Sequence, residues 1–173
     1  MQNILEYLNQ SLLFRNFIEV LLGLDNTLLL LIISLPVGFI LSLIFAIGRV
    51  SENKFISKTI ASYIFVIRGT PLLVQIYLIY FGLGSVEFIR ESFLWYLLRE
   101  PFWCGVLALT INTVAYGSEI FRGGIQSVTK GQIESGLSLG FNKLMLLRKV
   151  IIPIALRKVL PSYGNELILM VKA

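Results

Sequence analysis

Histidine does not occur in this chain of 173 residues, and cysteine occurs once, as Cys104. These two absences exclude a His-dependent catalytic triad, a His metal ligand and a His proton switch. A lone cysteine likewise forms neither a disulfide framework nor a Cys-based metal site. The phosphate-cradling pattern G-x-x-x-x-G-K-[ST] appears nowhere, so the chain has no P-loop of its own, and any ATP at work must be bound by another polypeptide. Gly136-Leu137-Ser138-Leu139-Gly140 does spell the G-x-S-x-G of serine hydrolases. That motif needs a strand before it and a histidine base beside it. The same five residues spell G-x-x-x-G, but polar neighbours argue against a membrane dimer seam. The first 25 residues hold Glu6, Glu19 and Asp25 and lack a basic lead, so they do not read as a cleavable signal. There is no internal repeat and no low-complexity linker, and one domain over 1–173 is the economical reading.

Charge is scarce as well. Only 14% of residues are Asp, Glu, Lys or Arg, against 56% hydrophobic and a mean hydropathy of +0.81, which fits a polytopic membrane protein and not an ordinary soluble domain. The net charge of +5 then speaks of membrane topology more than of nucleic acid.

Along the chain, residues 1–25 read as an amphipathic lead-in. Residues 26–48 carry no charge between Asp25 and Arg49 and form the clearest span, with Pro36 and Gly38 as an expected kink. A second span is expected from about Phe55 to Leu83 with Arg68 inside its first half, then a polar connector over 84–100. A third runs from near Pro101 to about Phe121, and a fourth over about 153–171 is interrupted by Arg157, Lys158, Pro161 and Glu166. Basic residues cluster in 49–68 and 122–158, while the other side holds only Arg15, Arg90 and Arg99. That bias predicts an N-terminus outside and Gly131–Pro153 in the cytoplasm.

The stretch Gly131–Pro153, GQIESGLSLGFNKLMLLRKVIIP, organises the rest. Ile133, Leu137, Phe141, Leu144 and Met145 recur at helical offsets. Gly140 tolerates a sharp break between two short helices, and Pro153 marks a bend or a helix start. The prediction is a pair of short helices in an L, carrying an apolar ridge on the outside of the membrane domain. Gly136 within the first helix is expected to weaken it by up to about 1 kcal/mol against Ala.

This stretch resembles the cytoplasmic coupling loop of importer-type ABC permeases, whose frame is E-A-A-x-x-x-G, nine further positions, then I-x-L-P. Here Glu134, Ser135, Gly136, Gly140, Val150, Ile152 and Pro153 occupy it. Both alanines and the Ile/Leu pair are replaced. Arg68-Gly69-Thr70-Pro71-Leu72-Leu73-Val74-Gln75 is similar to a signature of the polar amino acid branch of that family. Its local reading is a helix start: Thr70 caps, Pro71 takes the first turn and Arg68 snorkels to the head groups. The segments from Ala115 to Val128 and from Leu160 to Met170 match the blocks just before and after the family's loop. The nearest branch by resemblance is that of the histidine/lysine/arginine/ornithine and opine permeases.

The resemblance implies an all-α type I ABC importer transmembrane fold, with about four membrane helices plus coupling helices over about 123–153. It implies a transporter subunit and not an enzyme, importing a polar, and by branch a basic, amino acid. Its partners would be ABC ATPase subunits holding ATP and Mg, a second permease (copy or paralogue) and an extracytoplasmic binding protein, in a bacterial cytoplasmic membrane. Relatives continue through a further membrane helix, so the end at Ala173 reads as lacking it. A non-functional fragment is the alternative reading. A secondary transporter would be expected to show repeated halves with broken helices. An intramembrane enzyme conflicts with the missing histidine.

The residues expected to contact the ATPase are Glu134, Ser135, Gly136, Leu137, Gly140, Phe141 and Pro153. Carboxylates inside apolar spans are costly and face a cavity or a partner. Glu119 has Arg122 three residues on as an ion-pair partner. Glu166, beside Asn165 and near Tyr163, is expected either to pair with Arg157 or a basic residue of another subunit, or to line the path and attract a cationic substrate.

Overall fold

The computed structural model describes the backbone of residues 2–172 and the side chains of 15–17, 21 and 23–170. Every regular element among the described residues is helical. They are α1 Gln2–Arg49, α2 Lys54–Arg68, α3 Leu72–Tyr77, α4 Leu83–Ser85, α5 Glu87–Arg90, α6 Trp95–Leu98, α7 Pro101–Gln126, α8 Lys130–Ser138, α9 Lys143–Leu146 and α10 Ile152–Lys172. Wider π-type turns over Leu78–Gly82 and Leu147–Ile151 join α3 to α4 and α9 to α10.

The expected lead-in and first span are one helix. α1 runs unbroken through Asp25 and Pro36, and at 1.5 Å per residue its 48 residues extend roughly 72 Å. Its membrane-length apolar portion is Gly23–Arg49. Most side chains of the expected amphipathic lead-in lie outside the described residues. Gly38 is a close approach: a Cβ there would stand 2.7 Å from Cβ of Thr113 on α7.

The expected second span is broken. α2 ends at Arg68, and the helical run Leu72–Ser85 leaves it at 104°. Apolar periodicity does not reveal the break, because both arms are equally apolar. Pro71, extended at φ −61° and ψ 142°, occupies the N-cap place of α3, and not its first turn. Thr70 turns its hydroxyl back onto the α2 carbonyls of Val66 and Ile67, so it closes α2 and does not cap α3.

The third span agrees with α7, which Pro101 opens in the first turn. α1 and α10 both pack along it. Its buried positions are mostly small or weakly polar: Ala108, Thr113, Ala115, Gly117, Ser118 and Gly124. Small residues let backbones approach, the usual basis of helix association in a membrane. A Cβ on Gly117 would collide with Ser42 of α1, and one on Gly124 with Val159 of α10. Phe39, Phe121 and Tyr163 then close an aromatic box, with ring centroids 5.2 to 5.3 Å apart.

By length and composition, Gly23–Arg49 and Pro101–Gln126 are able to cross a membrane, and the bent pair Lys54–Arg68 with Leu72–Ser85 counts as a third span if taken together. α10 is long enough, but Arg157, Lys158, Glu166 and Lys172 interrupt its apolar character. Pro153 stands in the first turn of α10, the helix start expected of it. It follows the π-type turns of Leu147–Ile151, where the wider ring accommodates a residue with no N–H.

Candidate functional site

The break between α2 and α3 leaves main-chain carbonyls without helical partners, and one buried amide satisfies them. Gln75, only 5% exposed, donates through Nε2 to Ile67 O at 2.8 Å, Thr70 O at 3.0 Å and Thr70 Oγ1 at 3.0 Å. Its Oε1 accepts from Asn112 Nδ2 of α7 at 3.1 Å. The Arg68–Gln75 octapeptide is therefore a fold-back clamp on the central helix. Each buried polar group in it finds a partner, as a low-dielectric setting demands. Gln75 stood out in the sequence only as an isolated amide in an apolar run, as did Asn112.

Beside the clamp lies a cavity of about 260 Å³ lined by Thr70, Pro71, Leu72, Asn112, Tyr116, Glu166, Leu169 and Met170. Glu166 thus borders open space, and among the described residues it has no ion pair with Arg157. Asn165 is exposed and does not line this cavity. Tyr163 does not line it either: its ring sits in the aromatic box at 5% exposure. Its hydroxyl is buried with no hydrogen-bond partner among the described residues. Asn165 is one position, about 100°, round the helix from Glu166, and the Tyr163 ring, a turn away, is taken up by packing against Phe39 and Phe121.

On the other side of Tyr116 is a larger open cleft of about 600 Å³, lined by Arg49, Ala61, Ile64, Phe65, Arg68, Gly69, Tyr116 and Glu119. Glu119 borders it but is heavily engaged. Arg122 donates to it through Nε at 2.9 and 3.0 Å and through Nη2 at 2.7 Å, and Arg49 Nε stands 3.7 Å away. The expected pair with Arg122 is present, and Arg49 is an addition. The Arg68 guanidinium lies over the Tyr116 ring, 5.0 Å from the centroid.

At the opposite pole of the sequence argument, Gly131–Pro153 folds as a helix, a turn and a second helix. Gln132 accepts from the backbone N–H of Thr129 at 3.1 Å and so fixes the start of α8. Gly140, at φ +77°, is the one positive-φ residue among those described, and it ends α8. Gly140 N donates to Leu137 O at 2.9 Å and Phe141 N to Gly136 O at 3.1 Å, the two bonds of a Schellman turn. Asn142 then caps α9 by accepting from Met145 N at 2.9 Å. Gly136 does more than weaken the helix: it is buried, and a Cβ there would stand 2.5 Å from Leu146 Cδ1. The turn closes on this contact, with Phe141 alongside.

The apolar ridge is real in part. Leu137 and Leu144 are exposed at 53% and 72%, and Met145 at 37%, while Ile133 and Phe141 are half-buried. Leu139, at 74%, belongs to the same surface, although its offset does not fit the helical spacing. Glu134 and Ser135 are exposed, and Pro153 is half-buried at the foot of α10. Ser138 is no elbow nucleophile: it lies at a helix end, and its hydroxyl donates to Glu134 O at 2.9 Å.

Known proteins resemble the chain over most of its length. The chain is 47% identical over 161 residues to an octopine transport system permease protein of Rhizobium meliloti, covering 93% of this chain and 66% of that one. It is 45% identical over 166 residues to a nopaline transport system permease protein of Agrobacterium fabrum, covering 94% and 68%. Against the histidine/lysine/arginine/ornithine transport system permease protein of Escherichia coli it is 46% identical over 149 residues, covering 86% and 63%. The chain thus spans about two-thirds of the length of these relatives. A crystal structure described as an amino acid ABC transporter with histidines superposes with a TM-score of 0.75 at 41% identity, over 92% of this chain and 71% of that one. Residues 35–173 match a single family, and the chain belongs to it: the binding-protein-dependent transport system inner membrane components.

Proposed function

We propose that the chain is the membrane-spanning permease subunit of an ATP-driven importer of polar, basic amino acids. The observation that carries the reading is the Gly140 turn. Its backbone is fixed by two capping bonds and by the Gly136–Leu146 contact, yet Leu137, Leu139, Leu144 and Met145 stand out from it uncovered. A rigid element presenting a cluster of exposed apolar side chains is built for a partner surface. The chain has no nucleotide-binding motif, so that partner is an ATPase subunit holding ATP and Mg. A second permease, a copy or a paralogue, completes the path, and an extracytoplasmic binding protein delivers the substrate. Relatives named for arginine and for histidine, lysine, arginine and ornithine support the substrate class. So does Glu166, a carboxylate on a cavity where an attractive charge acts more strongly than in water. The basic residues of 49–68 and 122–158 support a cytoplasmic coupling turn and an N-terminus outside.

Two experiments test this reading. Purified from its own membrane, the chain should bring a Walker-motif ATPase with it, and replacing both Leu137 and Leu144 with Asp should release that ATPase. Retention of the ATPase by the double variant would refute the docking surface. In the assembled transporter, Glu166→Gln should lower uptake of arginine or lysine by about tenfold, roughly 1.4 kcal/mol, and change uptake of a neutral amino acid much less. Equal loss for both, with less protein in the membrane, would show a packing role. For orientation, an impermeant thiol reagent added outside should label Ser85→Cys and spare Lys130→Cys in a Cys104-free background, and the reverse pattern would invert the topology.

A further inference from the structure

We propose that the connector between Ser85 and Pro101 lies in the head-group interface of the bilayer, with Phe88 and Phe93 inserted among the lipids. This requires only that the flanking helices span a membrane, and it does not depend on what the chain transports. The sequence marks 84–100 as a polar connector, yet the structure exposes large apolar side chains there. Phe93 is 91% exposed and Phe88 83%, and Leu94, Tyr96 and Leu97 are exposed beside them. Such a patch outside the spans marks an interaction surface. The polar groups gather elsewhere. Ser85, Glu87, Arg90 and Glu91 line one open hollow, and neither Phe88 nor Phe93 borders it. The connector therefore has a polar side and an apolar side, the pattern of an element lying along a membrane surface.

Composition, position and charge together name lipid as the occupant. Five of the eleven residues 93–103 are aromatic, against 12% of the whole chain, and both tryptophans, Trp95 and Trp103, are among them. Trp and Tyr concentrate where hydrocarbon meets head groups, because each ring system has an apolar body and a polar edge. The connector is also held at the depth where a span begins. Cys104 Sγ, in the first turn of α7, donates to Leu98 O of α6 at 3.1 Å. Trp95 stands against the end of the preceding apolar run, since a Cβ on Gly84 would lie 3.5 Å from its ring. The two arginines are placed to match. The Arg90 guanidinium lies 5.9 Å from the Trp95 ring centroid, and that of Arg99 lies 4.8 Å from that of Tyr96. A guanidinium over an interfacial ring keeps its charge at head-group level while its stem follows apolar surface. These two cations face three carboxylates, Glu87, Glu91 and Glu100, so the connector carries no excess of positive charge. Ring insertion holds it, and not attraction to anionic lipid.

The test uses the intact complex with cysteine-free partner subunits and Cys104→Ala, reconstituted in phosphatidylcholine vesicles. Nitroxide labels are placed at Phe93→Cys, Phe88→Cys, Glu87→Cys and Glu91→Cys, one at a time. Collision with dissolved oxygen, which partitions into lipid, is compared with collision with a water-soluble nickel chelate. Labels at 88 and 93 should favour oxygen several-fold over the labels at 87 and 91, which should favour the nickel chelate. Adding phosphatidylglycerol should leave all four unchanged. A label at 93 as open to nickel as that at 91 would overturn the proposal, because the connector would then stand in water. Shielding of 93 from both reagents would overturn it in favour of cover by another subunit. Nickel contact that is lost only when the binding protein is added would make the face a protein-docking surface instead, and oxygen contact that needs phosphatidylglycerol would assign the hold to the arginines. Both phenylalanines are highly exposed, so neither replacement removes packing, and the label at 88 repeats the measurement if Phe93→Cys fails gel filtration.

Discussion

The interior along α7 and the turn at Gly140 are both held by glycines, but to opposite ends. In the interior, Gly117 and Gly124 remove side chains so that α1 and α10 come close, and the apolar groups around them disappear from solvent. At the turn, Gly140 contributes its backbone alone. Nothing crowds it, and the leucines on either side remain exposed at 53% to 74%. One region spends its shape on its own packing, and the other, on the proposed function, holds a shape for a partner. The buried positions of α7 are accordingly expected to report stability, and the turn to report coupling.

The largest expected effect is at the turn. Gly140→Val places a β-branched residue at φ +77°, which a left-handed conformation disfavours by roughly 1–2 kcal/mol. Space is open there, so the strain comes from the backbone alone. Membrane insertion should survive, while uptake is lost and ATP hydrolysis no longer follows substrate. Normal uptake with a normal ATPase response would erase the contrast between the two regions. Next is Glu119, at the cytoplasmic end of α7 by the proposed topology. Glu119→Leu leaves Arg122 and Arg49 without their shared carboxylate. Removing one partner of a buried pair costs about 3–5 kcal/mol. With these side chains 20% to 30% exposed, solvent screening reduces the expected loss to about 2 kcal/mol. Thermal unfolding of the purified complex reads it, and a further Arg122→Leu change should recover part of the loss. An unaltered melting temperature in Glu119→Leu would mean that the interior does not depend on this pair.

Much of this division is legible in the residues themselves. The turn at Gly140 can be read because its parts are local: a glycine at a break, with apolar residues at helical offsets on either side. The membrane helix at Pro101–Gln126 can be read for the same reason, with a proline at its start and an apolar run behind it. A helix start at Thr70–Pro71 is legible, but the 104° angle to α2 is not, because the group that holds it lies outside the local window. Gln75 reaches back eight residues to Ile67 and across to Asn112, 37 residues away. Hydropathy averages over such a break, since the polar atoms that hold it are satisfied internally. Glu119 and Glu166 look alike in sequence, as single carboxylates in apolar runs. The Arg122 pair of Glu119 is legible as an i,i+3 contact, while the approach of Arg49 to Glu119 and the cavity beside Glu166 come from tertiary packing.

A smaller effect tests Tyr163, which sequence proximity places near Glu166 and packing places in the aromatic box. Its hydroxyl is buried without a partner. An unsatisfied buried hydroxyl costs about 1–3 kcal/mol, so removing it is favourable where no partner is left behind. Tyr163→Phe should therefore hold or raise the melting temperature and leave arginine uptake unchanged. A clear loss of uptake at full stability would return Tyr163 to the substrate path and blur the line between interior and site.

The smallest effect lies where the two regions meet the solvent. Lys143, at the start of α9, donates to Glu52 in the loop after α1 at 2.9 Å, with both side chains almost fully exposed. The hydrogen bond and charge of Lys143 hold Glu52 below the ordinary carboxylate value of 4.5. The same contact raises Lys143 above 10.5. The signs then follow. A depressed carboxylate contributes stability above its unfolded value and loses it as pH falls through the folded one. A raised ammonium contributes below its unfolded value and loses it as pH rises through the folded one. The contribution is therefore flat from about pH 5 to about pH 10, and water and salt screen it throughout. Glu52→Gln should leave melting temperature and coupled uptake close to wild type across that window, in low and in moderate salt. A large, salt-sensitive loss of coupling would show instead that this bridge ties the α9 side of the turn to α1, and that the turn is held from outside as well as by its own backbone.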